Sequence, residues 1–120
     1  MSSFAMKSES NPVRGDVVIA VFGRDYGKPR PALVVQSDAF NPTHASMILC
    51  PISSEITGLY FARVRVPPSA QNGLELESEI MVDKLATVAS QRIRQQIGRL
   101  TRAQMETVDR TLRIWLDLSP

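Results

Sequence analysis

Arg30 stands between Pro29 and Pro31, where a loop turns into the apolar run Ala32-Leu33-Val34-Val35. Both prolines fix their φ angles, so the guanidinium is carried at a strand mouth on stiff backbone. Arginine keeps its charge and offers a planar fork of donors that matches phosphate oxygens in pairs. That placement suits phosphoryl chemistry on a nucleic acid. Of the 14 basic residues, 11 are arginines in a chain of net charge only +2, a bias toward bidentate recognition of phosphate or carboxylate. Ser53-Ser54 end a later apolar run; they place two hydroxyls at a strand end and equally suit an ordinary turn. Asp83 precedes Lys84, and its plain reading is a surface ion pair with Lys84 or Arg30.

The other reactive groups narrow the chemistry. Glu75, Glu77 and Glu79 recur at every second residue and share a face if the stretch is a strand. Three carboxylates on one face suggest a metal site, but a solvated or edge-protecting face is the stronger reading, and it would repel a phosphate backbone. His44 is the only histidine and sits in a polar loop, which excludes a mechanism built on two histidines. Cys50 is the only cysteine, so no intrachain disulfide or thiolate cluster for zinc can form, and its apolar neighbours make it a small core residue. Tyr26, Phe40 and Tyr60 fall in loops near Arg30 and Ser53, where an aromatic ring either stacks on an unpaired base or packs.

These groups need a scaffold. A chain of 120 residues with 43% hydrophobic and 22% charged residues reads as one soluble domain. Residues 1–12 are expected to be a disordered tail without the apolar stretch of a secretory signal, and residues 13–120 the domain. No apolar run is long enough to cross a bilayer, and the single cysteine fits a reducing cytoplasm.

β-rich runs bounded by glycine, proline and polar residues predict strands at 14–22, 31–36 and 47–52. The first two form a hairpin-like pair with Arg30 at its mouth. Residues 61–66 alternate Ala62, Val64 and Val66 with Arg63 and Arg65, a strand with one wet face. Residues 74–88 hold one or two more strands, and Gly98-Arg99-Leu100 closes a last short one, giving about six in a small barrel. Thr101-Arg102-Ala103-Gln104 has the form of a capping box. The helix it opens carries Met105, Val108, Leu112, Trp115 and Leu116 on one side and Arg102, Glu106, Asp109, Arg110 and Arg113 on the other.

Read in order, Arg14-Gly15-Asp16-Val17-Val18, Arg30-Pro31-Ala32-Leu33-Val34-Val35-Gln36, Pro51-Ile52-Ser53-Ser54, Asp83 within Ile80-Met81-Val82-Asp83-Lys84, and Gly98-Arg99-Leu100 give a chain that resembles the MazF/PemK (Kid) toxins over residues 13–118. The resemblance implies a mainly β fold with α: a small SH3-like barrel of the CcdB/MazF type with a C-terminal amphipathic helix, acting as a homodimer. It implies a cytoplasmic toxin that cleaves single-stranded RNA at selected sequences, in mRNA or also in rRNA or tRNA, without metal or cofactor, and so inhibits translation and growth. A cognate antitoxin with an acidic, disordered segment would silence it, and DNA would be reached only through the toxin–antitoxin complex. In that pattern Arg30 matches the catalytic arginine, Ser53 the Thr or Ser that contacts the scissile phosphate, and Asp83 the acidic residue of a later strand. Lys28, Ser54, Lys84 and Tyr26 are expected to bind RNA. Lys84 stands where several members carry Gln, Met81 where some carry a second arginine, and the loop 23–29 is shorter than in many.

RNA supplies its own nucleophile, the 2′-OH, so cleavage needs only a proton acceptor, a proton donor and cations for the phosphorane. Arg30 would stabilise the charge, Ser53 would donate to a non-bridging oxygen, and Asp83 would position Arg30 or accept the proton. The products would carry a 2′,3′-cyclic phosphate and a 5′-OH. Two rivals keep the barrel without the chemistry: a CcdB-like toxin that binds and poisons DNA gyrase, and an inert binding module.

Overall fold

The runs 17–22, 31–35 and 47–52 are apolar on both faces of the pleat, as expected of strands covered on two sides. In the computed structural model, which describes residues 11–23 and 28–119, they are three central strands. The chain runs β1 (Asp16–Val21), β2 (Pro29–Val34), β3 (Ser46–Ser53), β4 (Arg63–Val66), β5 (Ser78–Met81), β6 (Ala86–Ala89), β7 (Ile93–Arg99) and α1 (Arg102–Leu116). Apart from its last two residues, the expected tail lies outside the described residues, as does Tyr26.

All pairings are antiparallel, in the order β4-β5-β3-β2-β1-β7, with β6 added to β3. The sheet curls toward a barrel without closing by strand pairing. The turn at 67–73 bridges the gap instead: Arg99 N–H donates to the Gln71 carbonyl at 2.9 Å. A Cβ on Gly98 would fall 2.4 Å from that carbonyl oxygen, and one on Gly73 would fall 2.1 Å from the Ile97 oxygen. Only glycine permits that approach.

One core cluster gathers Val17, Leu33, Cys50, Ile52, Val66, Ile80 and Val108, and a second, on the other face, gathers Val18, Ala20, Ala32, Val34, Met47 and Leu49. The Arg14-Gly15-Asp16 motif is a tie between elements. Arg14 donates to the Val35 carbonyl and pairs with Asp109 on α1 at 2.7 Å. Gly15 has φ +98°. Asp16, buried, accepts from Val13 N–H at 2.9 Å and from Arg99 Nη1 at 2.7 Å. Burial raises the Asp16 pKa despite these partners.

Three expectations need correction. The last strand begins at Ile93 rather than near Gly98 and brings the count to seven, its register broken twice against β1; Gln95 and Gln96 hid it because they break the apolar pattern. The capping box is present, with Gln104 N–H on Thr101 Oγ1 at 3.0 Å and Thr101 N–H on Gln104 Oε1 at 2.9 Å. The apolar stripe of α1, however, packs only through Met105, Val108 and Leu112. Trp115 and Leu116 stay 45% and 46% exposed. Asp109, placed on the wet face by the pattern, is tied to Arg14.

Candidate active site

Arg30 is opposite Ala20 in the β1–β2 ladder, one pair before the described end of the hairpin at Val21 and Pro29. The β2–β3 ladder pairs Ala32 with Pro51; extended by two residues it aligns Arg30 with Ser53, on one face of the pleat. Both line a cavity of about 510 Å³, together with Ser54. Its walls are Ile19, Leu74, Leu76 and Ile97, with Glu75 and Gln95 as further polar groups. Ser53 Oγ accepts from Glu55 N–H at 3.0 Å, so its own proton remains to be donated.

The structure does not bring Asp83 to this cavity. It lies in the 3₁₀ turn Val82–Lys84 after β5, with Arg63 Nε 2.7 Å and Nη2 3.2 Å from its two oxygens. Side-chain exposures of 11% and 17% make this a largely buried bidentate pair. The hydrogen bond and charge of Arg63 hold the Asp83 pKa below its ordinary value, and the hydrogen bond and charge of Asp83 push that of Arg63 up. Its partner is thus neither Lys84 nor Arg30. Lys84 is exposed on the same turn and absent from the cavity wall, while Lys28 is exposed just before β2. Tyr60, 86% exposed, stands edge-on to Phe61 at 6.1 Å.

The alternating glutamates have separate tasks, because β5 begins only at Ser78. Glu79, buried at 2% exposure, accepts from Thr57 N–H at 3.0 Å, Thr57 Oγ1 at 2.9 Å and Gly58 N–H at 2.9 Å, with Arg63 Nη1 at 3.6 Å. Burial works to raise its pKa; the bonds from Gly58 and Thr57 and the charge of Arg63 prevail and lower it. Glu77 pairs with Arg65 at the surface at 3.1 Å. Glu75 lines the cavity. Among the described residues no three ligating side chains gather. Burial pushes the Cys50 thiol up to about 12, which leaves it protonated.

Arg63, Glu79, Glu75 and Gln95 were missed as site-building residues. The period-two glutamates were visible, but nothing local distinguishes a clamp from a solvated carboxylate. Gln95 carries no signal in the sequence.

An arginine and a serine from neighbouring strands thus line one cavity. Residues 13–116 match the PemK-like, MazF-like toxin of type II toxin-antitoxin system. The chain belongs to this family. It is similar to the probable endoribonuclease MazF of Mycolicibacterium smegmatis, 36% identical over 88% of this chain and 97% of that one. The endoribonuclease EndoA of Bacillus subtilis is 31% identical over 88% of this chain and 94% of its own length. Among solved structures, the toxin MazF-mt6 of Mycobacterium tuberculosis superposes with a TM-score of 0.76 at 26% identity, covering 88% of this chain and 99% of that chain. The MazE-MazF structure from Deinococcus radiodurans gives 0.74 at 26% identity, covering 90% and 97%. The toxin family's fold is thus the one seen here: a mainly antiparallel, barrel-like sheet with one C-terminal helix. Among the described residues no helix is long and apolar enough to cross a membrane.

Proposed function

We propose that this toxin is a metal-independent endoribonuclease that cuts single-stranded RNA in the cytoplasm at the cavity shared by Arg30 and Ser53. That shared cavity carries the reading, and relatives named as endoribonucleases support it over a gyrase binder. The 2′-OH of the substrate is the nucleophile, which removes the need for a metal-bound water. Arg30 offers its fork to the phosphorane, where charge develops in the transition state. Ser53, whose oxygen already accepts from Glu55 N–H, donates to a non-bridging oxygen. Ser54 and Lys28 hold flanking phosphates. With Asp83 engaged by Arg63, its role is to brace β4 against the turn after β5. Attack of the 2′-oxygen on phosphorus breaks the bond to the 5′-oxygen, and the proton lost from the 2′-OH is carried by solvent water to that leaving oxygen, so the products are a 2′,3′-cyclic phosphate and a 5′-OH.

The exposed apolar end of α1, with Ile114, Trp115, Leu116 and Leu118, is the surface we assign to a homodimer. By analogy with the MazE-MazF structure, an antitoxin closes the Arg30 groove with an acidic segment that orders on binding.

A labelled single-stranded RNA incubated with the purified protein in EDTA tests the reading. Fragments ending in 2′,3′-cyclic phosphate are expected. RNA left whole, with gyrase inhibited, would establish the rival.

A further inference from the structure

Two polar side chains on the cavity wall are unspent. Glu77 is paired with Arg65 and Glu79 is held by Thr57, Gly58 and Arg63. Among the described residues, the side chains of Glu75 and Gln95 have no hydrogen-bond or ion-pair partner, and both residues belong to the lining of the cavity that holds Arg30 and Ser53. A carboxylate repels phosphate, so its place beside a phosphate-binding arginine calls for a ligand group that donates. The cavity also has apolar walls: Leu74 and Leu76 flank Glu75, and Ile97 lies two residues beyond Gln95. Apolar walls with a few convergent polar groups suit an unstacked base read on its Watson–Crick edge.

Resting on the endoribonuclease reading, we infer that Glu75 and Gln95 select guanine at the base next to the scissile phosphate. A carboxylate only accepts, and guanine presents two adjacent donors, N1–H and the N2 amino group, to its two oxygens. Adenine and cytosine offer a single amino group there. Uracil offers one N3–H between two carbonyls that the carboxylate repels. The Gln95 amide N–H completes the match by donating to guanine O6.

The test maps cut ends across a randomised single-stranded RNA pool for the wild type, Glu75→Gln and Gln95→Ala, each checked for folding by circular dichroism. The wild type is expected to enrich guanine at one position adjoining the cut. Glu75→Gln should lower that enrichment about tenfold at that position alone, and Gln95→Ala should lower it less. A guanine preference that survives Glu75→Gln, or a different base preferred there, overturns the inference while leaving the nuclease in place. A wild type that cuts no RNA sinks both.

Discussion

Ser53 stands opposite Glu79 in the β3–β5 ladder, and on its other side the β2–β3 register leads to Arg30. One cross-strand row therefore carries the arginine, the hydroxyl and the carboxylate that holds the loop following Ser53-Ser54 at Thr57 and Gly58. Ser53 is positioned from both sides.

Glu79→Ala should remove about 3 kcal/mol of stability, since it leaves Arg63 and the 57–58 backbone donors short of a buried partner. Cleavage should fall with it, because the loop after Ser53 loses its clamp. Urea denaturation paired with single-turnover cleavage checks this; unchanged stability would show that the clamp is idle.

Arg30→Ala should abolish cleavage with the fold intact, because Arg30 lies next to the loop end of the β1–β2 hairpin and is exposed. Ser53→Ala should slow cleavage by about 10²–10³, the usual cost of one lost donor to a developing oxyanion. Ser53→Thr should retain most of it. Rates on a defined RNA oligonucleotide decide.

Asp83→Asn separates a catalytic carboxylate from a bracing one. The bidentate contact to Arg63 predicts a stability loss of about 1–3 kcal/mol with cutting slowed by no more than about tenfold. An inactive but equally stable Asp83→Asn would return Asp83 to the chemistry.

The lowered pKa values of Glu79 and Asp83 have a signed consequence. Each stabilises the fold fully above its ordinary value, 4.5 for Glu79 and 3.8 for Asp83, and loses that contribution as pH falls through the lower folded value. Asp16, whose pKa is raised, acts oppositely and gains as it protonates. Melting temperature should drop below about pH 4.5, and Glu79→Gln should flatten the drop.

Ile114 and Leu118 are 74% and 57% exposed on and just beyond α1. Ile114→Asp with Leu118→Asp should halve the mass seen by light scattering, with circular dichroism unchanged, if that surface joins two copies. A double variant that keeps its mass would move the dimer interface elsewhere.

Much of the scaffold could be read from the chain, as could Arg30 and Ser53, the two residues proposed for catalysis. The strands around Val17–Val21, Leu33-Val34 and Met47–Ile52 and the Thr101–Gln104 cap depend on side-chain periodicity and on contacts within four residues. Arg30 was legible because two adjacent prolines stiffen its backbone, and its order with Ser53 and Gly98-Arg99-Leu100 carried the family.

What the chain did not reveal lies across strands. Asp83 meets Arg63, 20 residues earlier, because β4 pairs Arg63 with Met81 just before the turn. Glu75, Glu77 and Glu79 divide among cavity, surface and loop clamp because the strand begins after the first two. Trp115 and Leu116 fit the apolar period of α1 but extend past the packed core that covers Met105, Val108 and Leu112. The sequence by itself determined which residues are apolar, stiff or charged, since these are properties of a residue and its near neighbours. Only the tertiary structure decided which charge each carboxylate meets, since strand register joins residues that local periodicity leaves unrelated.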